Sequence, residues 1–147
     1  MSARRINREI KSYIDLGYDN VCLDFSDNLY ELHGFIIGPL GSVYEGSVLY
    51  YKLDLPKDYP FKPPKFKFLS KVFNPNVSSD GTISLAVLMD QWTPLYSIMD
   101  VVQYVVSILI TPEKNILNEE AASLYYYDYE EFIRVAKDTM QLESDSY

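Results

Sequence analysis

The chain has 147 residues, 48% of them apolar and 23% charged, enough for a single domain over residues 1–147 with a core that needs no covalent staples. A net charge of −8 and a pI near 4.5 exclude a general nucleic-acid binder, which would need phosphate-neutralising Lys and Arg. One cysteine excludes an internal disulfide framework and suits a reducing compartment, and no apolar run is long enough to span a bilayer.

In chain order, the basic start MSARRINREI has no apolar core of a signal peptide. Ser2 is placed to cap a helix running to about Asp15, with Ile6, Ile10, Tyr13 and Ile14 as its apolar stripe and Gly17 as its left-handed C-cap. Arg4, Arg5, Arg8 and Lys11 lie mostly off that stripe. They read either as a solvated face or as a docking patch for an acidic protein surface.

Four strands follow: Val21–Phe25, Leu29–Gly38, Val48–Leu55 and Lys65–Leu69. Their connections, among them the turn cluster Ser26-Asp27-Asn28, are too short for crossover helices, so the strands form an antiparallel meander. Cys22 and His33 read as strand residues, not as a reactive thiol and a general base, and they cannot supply a zinc site.

Residues 59–96 then lack regular periodicity, which in a compact domain marks a functional segment. It holds Asn74-Pro75-Asn76, the turn Ser79-Asp80-Gly81, Ser84 and the single Trp92, which reads as core beneath the segment. Ser97 and Asp100 form a capping box for a buried helix Ile98–Ile110, stopped by Thr111-Pro112. Asn118 caps a short helix from Glu119 to about Tyr125. Asp128 and Glu131 start another from Tyr129 to about Gln141, with LESDSY as an acidic frayed tail from about residue 142. The expected class is α+β: a helix, a four-stranded antiparallel meander, a long active-site segment and three helices. No nucleotide-binding or hydrolase-elbow motif occurs, and no cofactor or metal is expected.

Several motifs recur together at consistent spacing: Tyr44-Glu45-Gly46, YPFKPPK (59–65), F-N-P-N (73–76), DGTIS-L (80–85), QWTP (91–94) and LNEEAA (117–122). In this order, over essentially the whole chain, the sequence resembles the ubiquitin-conjugating enzyme family, the second enzyme of the ubiquitin cascade. The resemblance implies a cysteine that carries ubiquitin or a ubiquitin-like protein as a thioester, chemistry suited to a thiolate. It implies that Asn76 stabilises an oxyanion or orders the loop that does so. It also implies that the first helix docks on the activating enzyme through Arg4, Arg5, Arg8 and Lys11. Phe61, Pro63, Thr93, Pro94 and Leu95 would then meet RING-type ligases, with Phe61 and Pro94 as apolar anchors. W-T-P-L-Y with L-N-x-x-A-A resembles, within the family, the branch linked to histone ubiquitination and CTLH-type ligases, and L-N-x-x-A-A also resembles the conjugating enzymes for the ubiquitin-like modifier NEDD8. The implied setting is the cytoplasm, the nucleus or both, with no nucleic-acid or membrane partner.

The chain departs from the family pattern at the reacting positions. Ser84 stands at the nucleophile position, Asn74 at the His of H-P-N, Ala86 two residues after the nucleophile, and Asn115 at the lysine-orienting acid. A serine hydroxyl is a far poorer nucleophile than a thiolate at neutral pH. Natural loss of relay, leaving a binding variant, accounts for all four departures. The alternative, an active conjugating enzyme carrying a deliberate Cys-to-Ser exchange, accounts for Ser84 alone.

Overall fold

The computed structural model describes residues 2–24, 28–83 and 90–145. Its elements run α1 (Ser2–Leu16), β1 (Val21–Asp24), β2 (Glu31–Ile37), β3 (Val48–Asp54), β4 (Lys65–Phe68), α2 (Ile98–Ile110), α3 (Glu119–Tyr127) and α4 (Tyr129–Asp145). The strands pair in sequence order, all antiparallel, as the short connections require. This is the α+β architecture the sequence implies.

Period-two alternation puts Val21, Leu23, Leu32, Ile36, Leu49, Tyr51, Leu53, Phe66 and Phe68 on one buried face. Tyr51 stacks on Phe66, and Phe66 meets Phe68 edge to face at 5.1 Å. In α2, Ile98, Met99, Val101, Val102, Val105, Val106, Ile108 and Leu109 are all buried and share one core with that face. A helix apolar on nearly every side has nowhere else to go. Ser97 and Asp100 close a reciprocal capping box at its start, and Thr111 ends it in an extended conformation.

Several boundaries differ from expectation, each for a local reason. Ser2 is already helical rather than a cap, and its hydroxyl bonds to the Tyr30 hydroxyl at 2.6 Å. Ile14, assigned to the apolar stripe, is 62% exposed; only Ile6, Ile10 and Tyr13 reach the core. β2 starts at Glu31 because Asn28 turns the chain, accepting the Tyr30 N–H on its side chain and the Glu31 N–H on its backbone. The ladder weakens to single rungs past β3 and β4, where Leu55 N–H donates to Tyr30 and Leu69 N–H to Tyr50. α3 runs on to Tyr127, up to the Asp128 that starts α4. α4 continues through residues 142–145, expected to be frayed tail, since neither Gly nor Pro interrupts it. Asp128 accepts the Glu131 N–H at 3.4 Å, half of the expected D-x-x-E start, while the Glu131 carboxylate pairs with Arg134 on the exposed face of α4. Gly17 caps α1 with φ +69°, as expected. Phe25, Ser26 and Asp27 lie outside the described residues.

Candidate functional site

The irregular segment is held to the rest of the molecule by side chains bonding to distant backbone. Asn76 is fully buried. Its Nδ2 donates to the carbonyl oxygens of Glu113 at 2.9 Å and Asn115 at 2.8 Å, and its Oδ1 accepts the Glu113 N–H at 2.9 Å. Both amide hydrogens are therefore committed to the loop after α2. Pro75 O adds to the clamp by accepting the Leu117 and Asn118 N–H groups. Asn118 then caps α3 through Ala121 N–H.

Asn74 is buried as well. Its Oδ1 accepts the Asn76 N–H at 2.8 Å, and its Nδ2 donates to the Tyr44 hydroxyl at 3.1 Å. That hydroxyl donates in turn to Phe73 O. Burial pushes the Tyr44 phenol well above its ordinary range, with the Asn74 bond pulling weakly the other way. Asn115 is exposed, and its side chain donates to the Glu113 carboxylate, which also receives the Tyr104 hydroxyl. Sequence reasoning passed over Glu113, whose backbone and side chain both anchor this loop.

At the 78–82 turn, Gly81 adopts φ +91°, and a Cβ there would lie 2.1 Å from Phe68 O, so only glycine fits. Asp80 accepts the Ser78 hydroxyl and the Thr82 N–H; these bonds hold its carboxyl down at about 2, the Ser78 bond contributing most. Ser84 and Ala86 lie outside the described residues. Cys22 lies in β1 opposite Phe35, and among the described residues no group of His, Cys, Asp and Glu is placed to hold a metal ion.

A second cluster joins α1 to the two candidate ligase loops. Phe61 is 67% exposed and Leu95 92% exposed, with Thr93 and Pro94 also outside; Pro63 is half-buried and Pro64 buried beneath them. Trp92 is half-buried, donates Nε1–H to Pro60 O at 2.9 Å, and stacks on Tyr96. It is core beneath the segment, as expected, and it also ties the two loops together. Arg4, Arg8 and Lys11 are exposed on α1. Arg4 and Arg8 line, with Arg5, Tyr59, Pro60 and Phe61, a cleft of about 410 Å³.

Arg5 differs from the other three. It turns inward, donating Nε–H to Glu9 and Nη2–H to the carbonyls of Pro94 and Tyr96, each at 2.9 Å. Glu9 also takes the Tyr59 hydroxyl on the same oxygen and the Ile98 N–H, at the N-terminus of α2, on the other. Burial raises the Tyr59 phenol far above its ordinary range, and the Glu9 carboxylate adds to the shift. The expected four-residue basic face is thus a three-residue face plus an internal tie. The Arg5/Glu9 spacing of four was the one sequence signal for that tie.

The family model for ubiquitin-conjugating enzymes matches residues 5–140. A Schizosaccharomyces pombe ubiquitin-conjugating enzyme, E2 1, is 36% identical over 144 residues, which cover 94% of this chain and 66% of that protein. The chain therefore spans just under two thirds of that relative's length. The solved E2 domain of a Toxoplasma gondii ubiquitin conjugating enzyme superposes with a TM-score of 0.87 at 30% identity, covering 97% of this chain and 98% of that one. Fold, motif order and these matches agree: the chain belongs to the ubiquitin-conjugating enzyme family.

Proposed function

We propose that the chain works in a ubiquitin or ubiquitin-like modifier pathway as a binding member of its family, one that occupies partner surfaces without passing the modifier through a thioester. One observation carries this reading: the only thiol, Cys22, belongs to β1, while the nucleophile position holds Ser84. A hydroxyl lacks the thiolate character that charging by the activating enzyme requires. No imidazole stands at Asn74 and no carboxylate at Asn115 to assist it.

The binding surfaces do not depend on the thiol. Arg4, Arg8 and Lys11 offer an exposed basic strip to the activating enzyme. Phe61, Pro63, Thr93, Pro94 and Leu95 offer an apolar edge to a RING-type ligase, of which a CTLH-type ligase is the specific candidate. With both amide hydrogens spent on Glu113 and Asn115, Asn76 orders the loop and does not bind an oxyanion. The cytoplasm or nucleus, where such partners work, is the proposed location.

The test is a charging assay with activating enzyme, ATP and ubiquitin. The chain is expected to form no adduct. A base-labile adduct that survives reducing agent and disappears in Ser84→Ala would overturn the reading. The intact Asn76 clamp favours one alternative, an active conjugating enzyme whose cysteine was exchanged at position 84. A cysteine codon there in the encoding gene, with Ser84→Cys forming a reducible adduct, would establish it.

A further inference from the structure

The geometry points to Arg5 and Glu9 as positioning residues that set the pose of the 93–97 loop for ligase recognition. This removes Arg5 from the strip that docks the activating enzyme, and it rests on the ligase-facing reading of Leu95 and Pro94. Arg5 Nη2 donates to the two carbonyls that bracket Leu95, those of Pro94 and Tyr96. Turning both carbonyls inward onto one guanidinium leaves the intervening side chain outside, where Leu95 is 92% exposed. A single cation serving both sides of one residue fixes that residue's direction, which a contact on one side would not do.

The guanidinium is itself aimed. Glu9 Oε2 accepts Arg5 Nε–H at 2.9 Å, and the Arg5 guanidinium carbon lies 5.8 Å from the centre of the Tyr59 ring. Glu9 in turn is fixed from its other oxygen by the Ile98 N–H at 2.6 Å. The chain of contacts runs from the first amide of α2 through Glu9 and Arg5 to the carbonyls flanking Leu95. It spans two segments 89 residues apart in sequence. The planar fork suits this task; a lysine ammonium would serve one acceptor well and not three in fixed directions.

The other described hydrogen bonds within residues 93–97 are local, and the far side of the loop rests on Trp92, which stacks on Tyr96 and bonds to Pro60 O. Leu95 N–H bonds to Thr93 Oγ1, Tyr96 N–H to Thr93 O, and Ser97 closes the α2 cap. Those contacts shape the turn and its far side, while the described hydrogen bonds that join it to α1 are those of Arg5 and of Glu9 with Ile98 N–H.

Amide hydrogen exchange at Tyr96 and Ile98, in the chain without a partner, reads the positioning directly. Affinities for a defined panel of purified RING domains and for the activating enzyme read its use. Melting temperatures confirm that each variant folds. Arg5→Ala is expected to speed exchange at Tyr96 and weaken RING binding about tenfold, the equivalent of roughly 1.4 kcal/mol. Affinity for the activating enzyme should stay within about twofold, well under 1 kcal/mol. Arg5→Lys should recover only part of both losses, and Glu9→Gln should resemble Arg5→Ala. Arg4→Ala and Arg8→Ala should show the reverse pattern, weaker activating-enzyme binding with unchanged exchange.

Unchanged exchange in Arg5→Ala overturns the positioning role, even where the parent chain binds a RING domain. Faster exchange with unaltered RING affinity overturns its use in recognition. A parent chain that binds no RING domain of the panel overturns the ligase-facing reading itself, whatever the exchange shows.

Discussion

Replacing Asn76 with alanine removes both donors and the acceptor that hold the Glu113–Asn115 loop to the buried Asn74–Asn76 turn. A net worth of about 1 kcal/mol for each intramolecular hydrogen bond puts the loss at about 3 kcal/mol. Water reaches Asn115, which is exposed, and softens that cost; the small cavity left at a fully buried position adds to it. For a chain of 147 residues, about 3 kcal/mol corresponds to a melting point lowered by roughly 10 °C. Differential scanning calorimetry near neutral pH measures it, and amide exchange at Glu113 confirms that the lost bonds are these. Asn76→Asp should be worse than alanine at neutral pH, because the new carboxylate would face the carbonyl oxygens of Glu113 and Asn115. Burial beside two acceptors would raise its folded-state pKa above the unfolded value, so its stability should recover as pH falls through that raised value. A melting point lowered by less than about 3 °C in the alanine variant, or an aspartate variant more stable than the alanine one at neutral pH, would refute the clamp.

Other outcomes follow from the same geometry. Ser78→Ala should move the Asp80 carboxyl from about 2 toward its ordinary value of 3.8, read by carboxyl NMR titration. Because the folded value lies below the unfolded one, the turn's contribution is present above pH 3.8 and is lost as pH falls toward 2. The Tyr44 and Tyr51 phenols are raised by burial and the Tyr59 phenol by burial and Glu9. Their folded values exceed the unfolded one near 10.0, so stability should be intact below pH 10.0 and fall as pH rises above it, followed by circular dichroism. Tyr44→Phe strands Phe73 O and Asn74 Nδ2 and should cost about 1–3 kcal/mol by urea denaturation. Gly81→Ala should cost more than about 1 kcal/mol, since strain at φ +91° and a Cβ 2.1 Å from Phe68 O act together.

Periodicity and capping chemistry made most of the fold legible. The alternation in β2 and β3, the all-round apolar surface of α2, and the caps at Ser97 and Asn118 are local signals. The strand and helix ends were less legible, because Asn28 and the breaker-free run after Tyr129 act through turn chemistry and propensity. At the candidate site, Asn76 could be picked out by its motif, but its three partners could not. They are backbone atoms of residues 113–115, and no side-chain pattern advertises a carbonyl. Arg5 went astray for the same reason. Its place beside Ile6 on a basic helix says surface, while its acceptors are the carbonyls of Pro94 and Tyr96.

Trp92 gives the molecule a built-in optical probe. It is the only tryptophan among 14 tyrosines, so red-edge excitation isolates one indole. That indole is half-buried, bonded to Pro60 O, 5.6 Å from Tyr96 and 6.2 Å from Tyr59. Its emission wavelength and quenching therefore report on the junction of the 59–64 and 93–97 loops. Occupancy of that face becomes measurable by titrating an unlabelled, tryptophan-free partner into the unlabelled chain.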